Sequence, residues 1–170
     1  SVVAWGRNDA GQCNVPALPP GLSYVEVATG GSHAVARRND GWVVAWGWSL
    51  LGQCNVPALP PGLVYVDVDA GAVHTVARRS DGSVVAWGDN AHGQCNVPAP
   101  NSDFEAVAAG FTHNLGMKSD SSVVAWGSNF SGQCNVPAPN TGFIAVAAGG
   151  VGSDLTHSLG LKADRSIVAW

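Results

Sequence analysis

Across residues 24–47, apolar and polar positions alternate with a period of two, in three short runs broken by turn-forming residues. Tyr24-Val25-Glu26-Val27-Ala28 puts Val25 and Val27 on one face, and His33-Ala34-Val35-Ala36-Arg37 alternates again. Trp42-Val43-Val44-Ala45-Trp46 is β-branched and aromatic. Each run predicts a strand. Thr29-Gly30-Gly31-Ser32 predicts a tight loop. Asn39-Asp40-Gly41 predicts a hairpin, because Asp-Gly accepts the positive φ of tight turns. The following Gly-Gln-Cys-Asn-Val-Pro segment is expected to add a fourth, edge strand, ended here by Pro57. No window of useful length has a helical period.

The pattern repeats. Gly-Gln-Cys-Asn-Val-Pro-Ala occurs at 11–17, 52–58, 93–99 and 132–138, and Val-Ala-Trp ends at Trp5, Trp46, Trp87, Trp126 and Trp170. Units starting at Val2, Val43, Val84 and Val123 give periods of 41, 41 and 39 residues. Such a period means units that bury their apolar faces only against one another. The second strand sharpens the picture. One face carries Val35, Val76, Leu115 and Leu159, and the other carries small residues, Ala34/Ala36, Thr75/Ala77, Asn114/Gly116 and Ser158/Gly160. That asymmetry suits wedge-like sheets around an axis. The expectation is an all-β, single β-propeller domain of three- to four-stranded antiparallel blades, with about four blades in this chain. Its repeats run 2–42, 43–83, 84–122 and 123–166, and 167–170 starts a fifth. The first Val-Val-Ala-Trp run lacks preceding strands, so the ring is expected to be incomplete. Remaining blades would come from a longer chain or from self-association, because an open arc exposes apolar blade faces.

Composition narrows the function. Apolar content is 46% and charge only 12%, which is globular. Eight Lys and Arg against twelve Asp and Glu leave a net charge of −4. The basic doublets Arg37-Arg38 and Arg78-Arg79 are too little for phosphate-driven binding, so no nucleic-acid partner is expected. No apolar run approaches 20 residues, and no membrane partner is expected. No signal or transit segment is visible, and the compartment is unknown. Cys13, Cys54, Cys95 and Cys134 fall one per unit, a spacing that suits neither disulfide nor zinc, and they read as structural thiols.

Val-Ala-x-Gly-x-x-His at 27–33, Asp-Gly at 40–41 and Val-Val-Ala-Trp-Gly-x-Asn-x-x-Gly-Gln at 84–94 together resemble the regulator of chromosome condensation repeat. The short units are similar to the bacterial version of that family, as in the type II beta-lactamase inhibitor protein. The resemblance implies a seven-bladed propeller, with members as different as a nucleotide exchange factor, an inhibitor and an ultraviolet-B photoreceptor. Fold is therefore implied far more strongly than function. The photoreceptor's Gly-Trp-Arg-His-Thr runs are matched here by Gly-Ser-His, Ala-Val-His, Phe-Thr-His and Leu-Thr-His, without Trp. The basic tail of the chromatin-binding member is also missing.

His33, His74, His113 and His157 open the second strands. They read as structural, each ring bonding a neighbouring backbone group and pinning a blade. Neither carboxylate nor thiol recurs beside them, so no metal and no cofactor are expected. Trp5, Trp46, Trp87 and Trp126 read as packing between blades. Asp40, Asp81, Asp120 and Asp164 read as turn residues. Glu26, Asp67 and Asp69 read as solvated or as partners between blades. There is no nucleophile elbow and no phosphate-cradling loop, and no catalytic residue is named.

Repeats one and two agree over most positions, yet they differ at all four positions of the tip after the third strand. Divergent tips on a repeated frame suggest a binding surface. Trp48, Leu50, Leu51 and Phe130 are the apolar candidates, with Arg7, Asp9, Asp89 and His92 as a charged rim. The first-to-second-strand loops at 30–32, 71–73, 110–112 and 149–156 vary as well. By strand direction they share the tips' end of the molecule. The insertion at 150–154 is expected to heighten the fourth unit. The reading is a non-catalytic scaffold that binds a protein partner through this face. The alternative is a small-ligand or carbohydrate-binding, lectin-like propeller, which would favour similar polar and aromatic tips in every unit.

Overall fold

The computed structural model describes residues 2–152 and 155–170. Every alternating run becomes a strand. The first sheet joins β1 (Tyr24–Thr29), β2 (His33–Arg38) and β3 (Val43–Gly47). The second joins β4 (Tyr65–Ala70), β5 (His74–Arg79) and β6 (Val84–Gly88). The third joins β7 (Phe104–Ala109), β8 (His113–Lys118) and β9 (Val123–Gly127). The fourth joins β10 (Phe143–Val151), β11 (Leu155–Lys162) and β12 (Ile167–Ala169). Each is antiparallel with strands in chain order, and no helix occurs among the described residues. The first strands of successive sheets lie side by side, which sets the sheets around a common axis as blades of a β-propeller.

The expected fourth strand does not form; blades have three strands. The Gly-Gln-Cys-Asn segment spends its backbone groups on local turns instead. Asn14 N–H donates to the Gly11 carbonyl (2.9 Å) and Val15 N–H to that of Cys13 (3.0 Å), with the same pair at 52–56. Groups consumed this way cannot extend a ladder.

The core lies between blades. Val35 and Val43 of the first sheet pack with Tyr65, Val68 and Trp87 of the second. Val76 and Val84 meet Phe104, Val107 and Trp126. Leu115 and Val123 meet Phe143, with Trp170 packed against them. The large face of each second strand thus looks onto the next blade, and the repeat tryptophan looks back onto the previous one. This corrects the expectation for Trp5, which is 85% exposed. Residues 2–6 pair with no strand among the described residues. Trp46, half-buried, keeps its indole bond to the Gln12 carbonyl (3.0 Å).

The base of each blade is finished in one of two ways. In the first two, Tyr24 and Tyr65 hydroxyls donate to the Pro16 and Pro57 carbonyls. In the last two the ring is Phe104 or Phe143, and the Lys118 or Lys162 ammonium lies over it while donating to the Pro100 or Pro139 carbonyl. Lost phenol and gained ammonium satisfy the same kind of acceptor. Asp40, Asp81, Asp120 and Asp164 accept the backbone N–H two residues on, as turn carboxylates do.

Gly71 shows how tightly the axial end is built. A Cβ there would sit 2.2 Å from His74 Cε1 and 2.5 Å from the Gly110 carbonyl oxygen. Gly71→Ala is expected to destabilise by about 1–3 kcal/mol through overpacking. Thermal unfolding checks it, and an unchanged melting temperature would show that His74 gives way without cost.

Candidate functional site

The tips and the first-to-second-strand loops lie at the same end, because the backbone ties them together. Trp48 N–H donates to the Ser32 carbonyl, Asp89 N–H to that of Val73, and Ser128 N–H to that of Thr112, each at 2.9 Å. The loops are linked in turn across blades. Gly31 N–H donates to the Ala72 carbonyl (3.1 Å) and Ala72 N–H to that of Phe111 (3.2 Å).

Each tip is held from below by the repeated residues. Gln12, Gln53, Gln94 and Gln133 side-chain oxygens accept from Ala10, Leu51, His92 and Ser131 N–H groups. Asn8, Asn90 and Asn129 accept from Cys13, Cys95 and Cys134 N–H groups at 2.8 Å and donate to Asn14, Asn96 and Asn135. Ser49 takes the first of these roles in the second tip, at 3.1 Å from Cys54 N. The second tip position is therefore a framework residue, which leaves three positions per tip for variation. The thiols lie against tip carbonyls, and burial raises Cys95 and Cys134 to about 11, so they stay protonated.

The apolar candidates divide. Leu50 and Phe130 are 82% and 76% exposed, and Leu51 is exposed as well. Trp48 is half-buried. It walls a recess of about 420 Å3 with Phe111, Ala72, Val73, Gly31 and Ser32, and Arg7, Asp9 and Ala10 close one side. The alternation of polar and apolar positions does not single out Phe111, because it stands in a loop; its signal is an aromatic where the sister loops carry Gly31, Ala72 and Gly150. Arg7 and Asp9 form a two-pronged ion pair, at 2.9 and 2.5 Å. His92 meets Phe130 edge-on, with centroids 5.8 Å apart. Asp89 accepts from the Gln94 amide at 2.7 Å. Trp48, Arg7 and Asp9 thus share one recess, while His92 and Phe130 form a separate pair. Of the insertion, Ser153 and Asp154 lie outside the described residues.

The histidines hold blades together, but through side chains rather than backbone groups. His33 Nε2 meets Thr75 Oγ1 (3.0 Å), His74 Nε2 meets Asn114 Oδ1 (2.9 Å), and His113 Nε2 meets Ser158 Oγ (3.0 Å). Thr75, Asn114 and Ser158 spend their own donors on the Gln53, Gln94 and Gln133 carbonyls. Each Nε2 must therefore carry the proton and donate. Nδ1 of all three has no hydrogen-bond partner among the described residues. Burial, and then the neighbouring His74, hold His33 down at about 4, and the same causes plus His157 hold His113 at about 4. His74 is lowered too, chiefly by burial. His157, of the fourth sheet, is exposed.

Asp67 and Asp69 join blades as well, accepting from Val107 N–H (3.0 Å) and Ala109 N–H (2.9 Å) of the third sheet. Glu26 instead pairs with Arg37 in its own sheet, at 2.7 Å. Burial raises Asp67 to about 6, and Glu26 beside it adds to the rise. Among the described residues no group of three or more His, Cys, Asp or Glu is placed to hold a metal ion.

Four radial blades with loops and tips gathered at one end define a repeat propeller. The family model for the regulator of chromosome condensation (RCC1) repeat matches residues 65–94 and 104–133, which take in the second and third sheets. Among solved structures, Prp20p from Saccharomyces cerevisiae, described with its binding to Gsp1p and histones, superposes with TM-score 0.79 at 21% identity, over 97% of this chain and 51% of that one. The ectodomain of the Physcomitrella patens receptor kinase CR4 gives TM-score 0.77 at 20% identity, over 98% and 45%. The CRINKLY WD40 ectodomain of the Arabidopsis thaliana receptor kinase ACR4 gives 0.73 at 27%, over 98% and 60%. The chain spans about half the length of these structures. No curated protein matches it. The matches carry the repeat and the propeller, and none of them carries the likeness to the beta-lactamase inhibitor.

Proposed function

We propose that the chain is a non-catalytic scaffold that binds a protein partner through the face built from its tips and loops. The observation that carries this reading is a set of exposed aromatic and aliphatic side chains on tips whose sisters are polar. Leu50, Leu51 and Phe130 are exposed on their tips, and at the same end Trp48 and Phe111 wall a recess. Large exposed apolar side chains are costly in solution, and Trp is prominent among binding hot spots. Arg7, Asp9, Asp89 and His92 form a rim that sets register more than affinity. Prp20p, a repeat propeller of the same fold, binds proteins, which fits a scaffold without naming this chain's partner.

The test uses an extract of the source organism, with the intact chain and a Trp48→Ala, Leu51→Ser, Phe130→Ser triple variant as baits. A protein retained by the first and lost by the second is expected. Against that partner Trp48→Ala should lose about 2 kcal/mol or more, with the melting temperature nearly unchanged. Equal retention by both baits would move the site to another surface. The recess also has a shape for a small ligand, between two aromatic rings and an ion pair. Glycan binding that Trp48→Ala abolishes, with no protein retained, would favour that second reading.

A further inference from the structure

Two departures from the repeat meet in one place. The first tip position is Arg7, Asp89 and Ser128 in three units and Trp48 in the other. The loop position that holds Gly31, Ala72 and Gly150 elsewhere holds Phe111 in the third. These aromatic residues stand at different repeat positions and on different units, yet both wall the same recess. Gly31 and Ala72, small at the loop position, leave the space that the two rings enclose.

The polar groups of the lining are largely spent inside the chain. Gly31 and Ala72 N–H groups donate along the loops, and the Ser32 and Val73 carbonyls accept from the tips. The Arg7 guanidinium is held by both Asp9 carboxylate oxygens, so the pair cancels its own charge at the rim. A ligand rich in hydroxyls finds few partners in such a lining, whereas an apolar group gains by leaving water.

Asp89 stands on the third tip, and its N–H is bonded to the Val73 carbonyl of the lining. Its carboxylate accepts from the Gln94 amide. The ion pairs among the described residues are Arg7–Asp9, Arg37–Glu26 and Arg38–Asp40, which leaves Asp89 without a cation.

We propose, resting on the reading of this end as a protein-binding face, that the recess is a socket for one apolar side chain of the partner, and that Asp89 pairs with a lysine or arginine close to that side chain in the partner's sequence. The apolar group supplies affinity by leaving water. The carboxylate selects among apolar segments, because a partner carboxylate in the cation's place is repelled.

The probes are three capped tripeptides, acetyl-Phe-Gly-Lys-amide, acetyl-Phe-Gly-Glu-amide and acetyl-Ser-Gly-Lys-amide. Each is titrated into the full chain and followed by amide and indole NMR shifts, with signals away from the recess confirming the fold of every variant. The Phe-Gly-Lys peptide is expected to shift Gly31, Ala72 and the Trp48 indole. The Phe-Gly-Glu peptide should bind about threefold more weakly at low salt, and the Ser-Gly-Lys peptide should shift nothing. Phe111→Ala should weaken the first peptide about tenfold, and Asp89→Asn should remove the difference between the Lys and Glu peptides. Equal shifts from the Phe and Ser peptides, equal affinity for the Lys and Glu peptides, or shifts from methyl glucoside alone would each overturn the proposal. A protein captured equally by the parent, Phe111→Ala and Asp89→Asn chains would also overturn it, while leaving the scaffold reading in place. The expected peptide pattern with no protein captured would uphold the socket and count against the scaffold.

Discussion

Lowering the pH from 7 to 4 is expected to cost the chain about 3 kcal/mol of stability, through the histidines between its blades. His33 and His113 are held at about 4 in the folded chain, against 6.5 for an exposed ring. Between those values the unfolded chain binds the protons that the folded chain refuses. Stability is therefore fully present above about pH 7 and declines as pH falls through 6.5 toward 4. Each ring contributes about 3 kcal/mol at the acid end of that window, and His74 acts in the same direction. Geometry explains the refusal. The second proton must go to Nδ1, which is buried without a partner and pressed against Gly30, Gly71 or Gly110. Asp67 opposes the trend, since its folded value of about 6 lies above 3.8 and its protonation favours the fold as pH falls through that range, and Asp69, raised chiefly by burial, acts in the same sense. The share of Asp67 is also about 3 kcal/mol, which is why the net loss is smaller than the histidine sum. Urea midpoints at pH 7.5, 6, 5 and 4 measure the slope. His113→Gln, which retains a donor for Ser158, should flatten it, and Asp67→Asn should steepen it. A His113→Gln slope equal to that of the parent chain would show that protonation of the ring does not carry the pH dependence.

Trp87→Ala is expected to cost about 3–5 kcal/mol, as deletion of a buried aromatic ring does. The ring is 7% exposed, packs against Val35 and Val43 of the preceding blade, and donates to the Gln53 carbonyl at 2.9 Å. Truncation empties the space between two blades and leaves that carbonyl with only the Thr75 hydroxyl. Trp5→Ala, in the same motif, should change stability by about 0.5 kcal/mol or less, because its ring is already in water. Denaturant unfolding of the two variants side by side is the check. Equal effects would mean that the motif stabilises through its own strand rather than through the neighbouring blade.

That contrast shows where reading the chain succeeds and where it stops. The strands at 24–47 were legible because a sheet with one buried face writes a period of two into the sequence. The hairpins were legible from Asp-Gly, where Gly41 takes φ 81°. The repeat supplied the blades, and strand direction supplied the common end of tips and loops. The Gly-Gln-Cys-Asn segment misled, since extended and turned conformations of so short a run differ only in which neighbour takes its N–H groups.

Sequence alone determined the class of fold and the number of units, because these follow from periodicity and local backbone chemistry. Tertiary structure decided the rest. Trp5 and Trp87 share a motif, yet Trp87 is buried against Val35 and Val43 of another sheet while Trp5 is exposed. Small residues beside the histidines looked like spacers for a crowded axis. Only the meeting of two blades, 42 residues apart in the case of His33 and Thr75, made them acceptors. Burial and pairing are set by which units touch, and a repeat leaves that to the arrangement of the blades.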